Sequence, residues 1–361
     1  MGSNKPIWVT GLMSGTSLDG VDAACLLTNG VDIIKFGSSA YRPYSAVERE
    51  ILQNVLGKWP AASGLEPAAA LILAAHLEAV AQVPAGELIG FHGQTLSHDP
   101  QNFRTHQLGD GSELARRAGV AVAWDFRSED VAQGGQGAPL APIYHWALAR
   151  YKQMQEPVSI VNLGGVGNIT WVDARLPPEQ GLLAFDTGPA NAPLNDFILK
   201  TTGQAYDADG ALAASGRVDT EVVESFMQHP YFARPAPKSL DRDGFGDMAG
   251  LVAQLSAADG AATLTAMCVA AVTASLALMP VQPKQMWISG GGRKNREMMR
   301  QLAMKLPMVV LDIDDIGLDG DMLEAQAFAY LAARVARGLP TSFPATTAAN
   351  APLCGGKISP P

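Results

Sequence analysis

The chain has 361 residues, a net charge of −9 and a pI near 5.2. That length accommodates two domains with separate cores, and an acidic balance without a Lys/Arg cluster argues against nucleic acid as a partner. Cys25, Cys268 and Cys354 are far apart and odd in number, which argues against a disulfide framework or paired zinc ligands and fits a reducing, cytoplasmic compartment.

The apolar run after Lys5 is broken by Gly11 before a secretory core could form, and Pro6 stands where a myristoylation signal needs Ser or Thr. Residues 7–10 and 21–28 read as strands around Gly11-Leu12-Met13-Ser14-Gly15-Thr16-Ser17-Leu18-Asp19-Gly20-Val21-Asp22. Such a turn is either a solvated hairpin tip or a phosphate cradle. In the second case Gly11, Gly15 and Gly20 let the backbone approach a ligand, Ser14, Thr16 and Ser17 donate to phosphate, and Asp19 and Asp22 offer oxygen to hydrated Mg2+.

A strand over 31–41, a helix capped by Ser45 and ending at Gly57, and a helix over 67–83 follow. A short strand, 88–91, then delivers His92-Gly93-Gln94-Thr95 at its end, and 120–124 delivers Asp125-Phe126-Arg127 ahead of the loop Gln133-Gly134-Gly135-Gln136-Gly137-Ala138-Pro139. Polar residues just past strand ends of an α/β sheet are candidates for substrate contact. Arg127 is either a bidentate clamp for carboxylate or phosphate or an ordinary ion pair with Asp125 or Glu129. His92 is equally read as a turn histidine.

After a helix over 142–151 and a break at Glu156-Pro157, the pattern repeats. Strands 157–162 and 169–172 flank Leu163-Gly164-Gly165-Val166-Gly167-Asn168, about 150 residues beyond the first tip. Strand 181–185 leads to Asp186-Thr187-Gly188-Pro189, with a helix expected to start near Pro189; Asp186 is then a helix cap or a proton acceptor. Lys238 and Arg242 lie in a turn-rich loop and read as phosphate contacts or, more commonly for such residues, as solvated surface charges, and 261–281 is uncharged and long enough for a membrane span but rich in Ala and Thr, which reads as a buried helix. A third tip, Ser289-Gly290-Gly291-Gly292, follows strand 285–288 and suits close approach to adenosine or phosphate. Strand 308–311 and helix 322–336, with Glu324 in its first turn, precede a Pro/Thr/Ala/Gly tail expected to pack loosely.

Together these motifs resemble the anhydro-N-acetylmuramic acid kinases, of the sugar-kinase, actin and heat-shock-chaperone ATPase fold group. The resemblance covers most of the chain and is carried by the first tip, His92-Gly93-Gln94-Thr95, Gly134-Gly135-Gln136-Gly137-Ala138-Pro139, Asp186-Thr187-Gly188-Pro189-Ala190-Asn191 and Ser289-Gly290-Gly291-Gly292. It departs at Leu12, Gly167 and Asn195, where threonine, alanine and an acidic residue are usual. It implies an α/β protein of two lobes with a duplicated actin-like (ribonuclease H-like) ATPase fold and a nucleotide cleft between them. The lobes are expected over 1–155 and 156–340, with a tail over 341–361 and the last helix free to pack on the first lobe. The implied activity opens the anhydro ring of 1,6-anhydro-N-acetylmuramic acid with water and phosphorylates the freed oxygen from ATP, with Mg2+.

By the resemblance, Asp186 is the catalytic carboxylate. ATP is expected at Gly11, Leu12, Met13, Ser14, Gly15, Thr16, Ser17, Leu18, Gly164, Gly165, Asn168, Gly290, Gly291 and Gly292. The sugar is expected at His92, Thr95, Arg127 and Glu324, and Mg2+ at Asp19 through water. The implied partners are an amino sugar and ATP, with no membrane; a homodimer is compatible with this. An ordinary sugar kinase or an actin-like ATP switch shares the fold and stands as the alternative.

Overall fold

The computed structural model describes residues 5–240, 245, 246 and 248–361. Arg242, considered above for phosphate binding, lies outside the described residues. In chain order the strands are β1 (Ile7–Ser14), β2 (Gly20–Thr28), β3 (Ile33–Pro43), β4 (Leu88–Asp99), β5 (Arg104–Leu108), β6 (Val122–Trp124), β7 (Val158–Leu163), β8 (Val166–Val172), β9 (Leu182–Pro189), β10 (Gln285–Ser289), β11 (Val309–Asp312) and β12 (Lys357–Ser359).

Two compact units are formed, one by Met1–Gln153 with Met322–Pro361, the other by Met154–Asp321. In the first, β1, β2 and β3 make an antiparallel meander, and β4 and β6 continue the sheet parallel to β1. The second repeats this order: β7, β8 and β9 are the meander, and β10 and β11 lie parallel on the far side of β7. Equal strand order and equal polarity in the two halves make this a duplicated α/β fold of the expected ribonuclease H-like pattern. Parallel neighbours require crossover connections, which is why helices separate β6 from β4 and β11 from β10.

Local signals explain several boundaries. Ser45 accepts from the Glu48 amide while Glu48 reaches back to the Ser45 amide, a capping box that starts the helix Ala46–Gln53. The apolar helix Ala257–Ser275 is a core element of the second unit: Leu264, Met267, Cys268, Val269 and Val272 join Phe185, Phe197 and Ile288 in one buried cluster. Burial on most of its circumference accounts for the near-uniform hydrophobicity that gave it the composition of a membrane span.

Three expectations are corrected. First, β4 does not stop at Phe91 but runs to Asp99 and pairs with β5, so His92 and Thr95 lie within a strand. Second, β9 continues through Pro189 and the next helix is Asn191–Thr202, so Asp186 is a strand residue and does not cap that helix. Third, the tail is not loose: Thr341, Ser342, Phe343 and Thr347 are buried, and β12 pairs with β6. Phe343 supplies the apolar anchor, and hydroxyls beside it satisfy a buried carboxylate described below.

The first glycine tip also divides differently from its sequence appearance. Gly11 is inside β1 and is the register partner of Gly90 on β4. A Cβ on Gly11 would strike the Ala325 carbonyl, and one on Gly90 would strike the Phe328 carbonyl. The two glycines therefore make room for the helix Leu323–Val335 to lie against the sheet, and the bending role expected of Gly11 is not what that position requires. Gly20 is likewise demanded by the β3 backbone at Arg42.

Candidate functional site

In the first unit, Leu12 and Leu18 are core residues and Met13 is buried, so these three offer a ligand their backbone alone. Ser14 is buried, donates to Gln94 Oε1 at 2.6 Å and lies 2.9 Å from the Tyr44 hydroxyl. Gln94 in turn donates to the Gly15 carbonyl at 3.2 Å, which ties the tip to β4. Thr16, Ser17 and Asp19 are exposed beyond this anchored base. Gln94 and Tyr44 were missed as site residues, although Gln94 lies inside a motif singled out from the sequence.

Arg127 Nε and Nη2 lie 3.1 and 3.0 Å from His92 Nε2, and Nη1 donates to the Gly137 carbonyl at 2.7 Å. The ion pair considered for it with Asp125 or Glu129 does not form. Asp125 holds Ser128 and Lys357, and Glu129 holds Gln133. Burial lowers the Arg127 pKa to about 10, opposed by the negative charges of Glu324 and Asp130, so the guanidinium stays a cation at neutral pH.

Burial, then the Arg127 charge, holds the His92 imidazole well below the ordinary histidine range, which suits an acceptor of two guanidinium N–H groups. The ring rests 4.5 Å from the Phe328 ring on the overlying helix. Glu324, in the first turn of that helix, is solvent-exposed, and its carboxylate feels the Arg127 charge. Thr95 is half-buried and accepts from Gln107 Nε2 at 3.2 Å. Arg127 thus stands within electrostatic reach of both His92 and Glu324, and a cavity of about 170 Å3 opens beside His92, Gly93, Gln107 and Asp125.

In the second unit, Asp186 on β9 is the register partner of Asn168 on β8, so the two side chains share one face of the sheet. The Asp186 carboxylate accepts the Leu240 amide at 2.7 Å, its own amide donates to the Lys238 carbonyl at 2.9 Å, and its carbonyl accepts the Tyr231 hydroxyl at 2.6 Å. Tyr231 is buried, and burial with the nearby Asp186 charge raises its pKa, so it stays a donor. The Lys238 ammonium donates to the Tyr231 carbonyl at 3.1 Å and lies 4.4 Å above its ring. Tyr231 gave no signal in the sequence; it is recruited from a separate turn by the fold.

Gly164 and Gly165 turn their carbonyls onto the amides of Ala190, Asn191 and Ala192, closing the start of the helix Asn191–Thr202. A Cβ at Gly164, Gly165 or Gly291 would meet no atom closer than 3.4 Å, and Gly15 is equally open. Packing does not require glycine at these four positions. Gly290, with φ of +75°, and Gly292, against Leu163, are required by the fold. Arg293 fixes this third tip by donating to the Gly290 carbonyl at 3.1 Å while pairing with Asp314 and Asp321.

Among the described residues, no group of three or more His, Cys, Asp or Glu forms a metal cluster. The exposed Asp19 beside Thr16 and Ser17 fits instead a Mg2+ that keeps its waters and is carried largely by phosphate oxygens.

The family model described as Anhydro-N-acetylmuramic acid kinase matches residues 7–361. A relative from Jannaschia sp. (strain CCS1), named Anhydro-N-acetylmuramic acid kinase 1, is 53% identical over 99% of this chain and 96% of its own length. A Cereibacter sphaeroides anhydro-N-acetylmuramic acid kinase is 54% identical over 98% of this chain and 96% of its own length. Among solved structures, the Acidaminococcus fermentans (R)-2-hydroxyglutaryl-CoA dehydratase component A is 12% identical with a TM-score of 0.46, over 92% of this chain and 99% of that one, a likeness too distant to bear on function. A match to the family model along almost the whole chain, with relatives above half identity, establishes that this protein belongs to the anhydro-N-acetylmuramic acid kinase family.

Proposed function

We propose that the chain is a cytoplasmic, ATP-dependent phosphotransferase that opens the 1,6-anhydro ring of 1,6-anhydro-N-acetylmuramic acid with water and yields N-acetylmuramic acid 6-phosphate, in peptidoglycan recycling. Family membership supports the reaction. The observation that carries the residue assignment is that Asp186 does not cap the following helix; its carboxylate is held at the Leu240 amide, half-buried and facing the same way as Asn168.

Asp186 takes a proton from water as the water oxygen bonds to the anomeric carbon, and the bond from that carbon to the bridge oxygen breaks. The bridge oxygen bonds to the γ-phosphorus in line as the bond to ADP breaks. The Leu240 amide fixes one carboxylate oxygen and so sets the orientation of the carboxylate toward water. Arg127, Glu324, Thr95 and His92 bind the sugar, with Arg127 presented as a fixed cation suited to its carboxylate. Gly15, Gly164, Gly165 and Gly291 admit ATP to the backbone at tips where the fold itself does not need glycine. Leu12, Met13 and Leu18 contribute backbone groups, and Ser14 holds the tip in place. Asp19 would hold Mg2+ through water, and the ion would supply positive charge against the phosphate oxygens.

Turnover in oxygen-18 water tests the reading. The heavy isotope is expected at the anomeric hydroxyl of the phosphorylated product. Product free of it would identify an ordinary sugar kinase instead.

A further inference from the structure

Asp130 is fully buried and bridges two segments far apart in sequence. Its Oδ1 accepts the Gly137 amide at 2.6 Å, and its Oδ2 accepts the hydroxyls of Ser342 at 2.5 Å and Thr347 at 2.7 Å. The Gly135 amide donates to the Asp130 carbonyl at 2.8 Å, and the Gln136 amide donates to the Thr347 carbonyl. A Cβ at Gly135 would strike the Asp130 carboxylate, so that glycine is demanded by this bridge. Gly137, whose amide is fixed by Asp130, uses its carbonyl to hold Arg127 Nη1. A buried carboxylate is retained in a core only when hydrogen bonds replace its lost hydration. Here those bonds come from the loop on one side and the tail on the other.

We propose that the C-terminal segment Thr341–Thr347 is a brace for the sugar-binding loop, acting through the positioning residue Asp130 to hold Gly137 and hence the Arg127 guanidinium in place. The proposal rests on the reading of Arg127 as a sugar-binding residue. The brace itself is separable from that reading, because it predicts order in residues 133–138 before any substrate arrives. Loss of the two hydroxyls leaves the buried Oδ2 without those donors, and the carboxylate then no longer fixes the loop.

The test uses the full chain and compares Thr347→Val, Thr347→Ser and the double variant Ser342→Ala/Thr347→Val. Amide hydrogen exchange in residues 133–138 is expected to rise at least tenfold in the double variant without ligand. The KM for the anhydro sugar is expected to rise tenfold or more, while the KM for ATP stays within twofold. Thr347→Ser, which keeps the hydroxyl, is expected to match the wild type where the isosteric Thr347→Val does not. Unchanged exchange, equal behaviour of the Ser and Val variants, or a parallel rise in both KM values would overturn the brace. Failure of the substrate reading shows elsewhere: Arg127→Lys would leave the sugar KM unchanged, while the exchange comparison would still decide the brace.

Discussion

Arg127 lies on His92 through two guanidinium nitrogens, 3.1 and 3.0 Å from the same imidazole Nε2. A cation can be held this way only if the imidazole is neutral at that nitrogen, and burial together with the Arg127 charge keeps it so. The sugar KM is therefore expected to be flat between pH 8 and pH 6. An inflection near the ordinary histidine value of about 6.5, abolished by His92→Asn, would show that His92 titrates freely and would contradict this arrangement.

Arg127→Lys keeps the charge but loses the planar fork that spans His92 and the Gly137 carbonyl. Hydrogen bonds of charged groups are worth about 1.5–3 kcal/mol, so a rise of roughly 10- to 100-fold in the sugar KM is expected. Steady-state kinetics with saturating ATP measures it, and a KM within twofold of wild type would remove Arg127 from the site.

Asp186→Asn preserves shape and can keep an oxygen toward the Leu240 amide, yet it cannot accept a proton from water. Turnover is expected to fall by about a thousandfold, within the range for loss of a general base, with nucleotide affinity changed only a few-fold. Near-normal turnover in a coupled ADP-release assay would refute the role.

Gly11 and Gly15 stand in the same motif but should behave in opposite ways. Gly11→Ala places a methyl against the Ala325 backbone, and overpacking of this kind costs about 1–3 kcal/mol or more, visible as a lower Tm. Gly15→Ala meets only the Ser17 hydroxyl at 3.6 Å, so Tm is expected to hold while the KM for ATP rises. Equal losses of Tm in the two variants would overturn the division between a fold glycine and a ligand glycine.

Acid stability follows from the buried histidines. His76 is lowered to about 4 and His145 to about 3, both chiefly by burial, and His92 lies well below its ordinary value. Groups with depressed basicity in the fold bind more protons when unfolded, so their contribution is complete above about pH 6.5 and is lost as pH falls below it. Between pH 7 and pH 5 His76 and His145 are each expected to remove about 2 kcal/mol of unfolding free energy, and His92 acts in the same direction. Urea titrations at the two pH values check this, and equal stabilities would count against the buried, neutral assignment.

Sequence alone was enough for the local and periodic features. Ser45 marks a helix start, glycine tips follow apolar runs, and the same strand-tip-strand outline appears twice. These depend on neighbours within a few residues, so they are written in the order of the chain. The motifs also carried the family resemblance, which the family comparison establishes. What tertiary structure decided was the purpose of individual residues in those motifs. Gly11 answers to Ala325, Asp186 to Leu240 and Tyr231, and Asp130 to Ser342 and Thr347, partners up to 217 positions away in the last case. A glycine needed for helix packing and one needed for a ligand look alike in a sequence, because the difference is the atom standing where a Cβ would go. Only the folded chain puts that atom there.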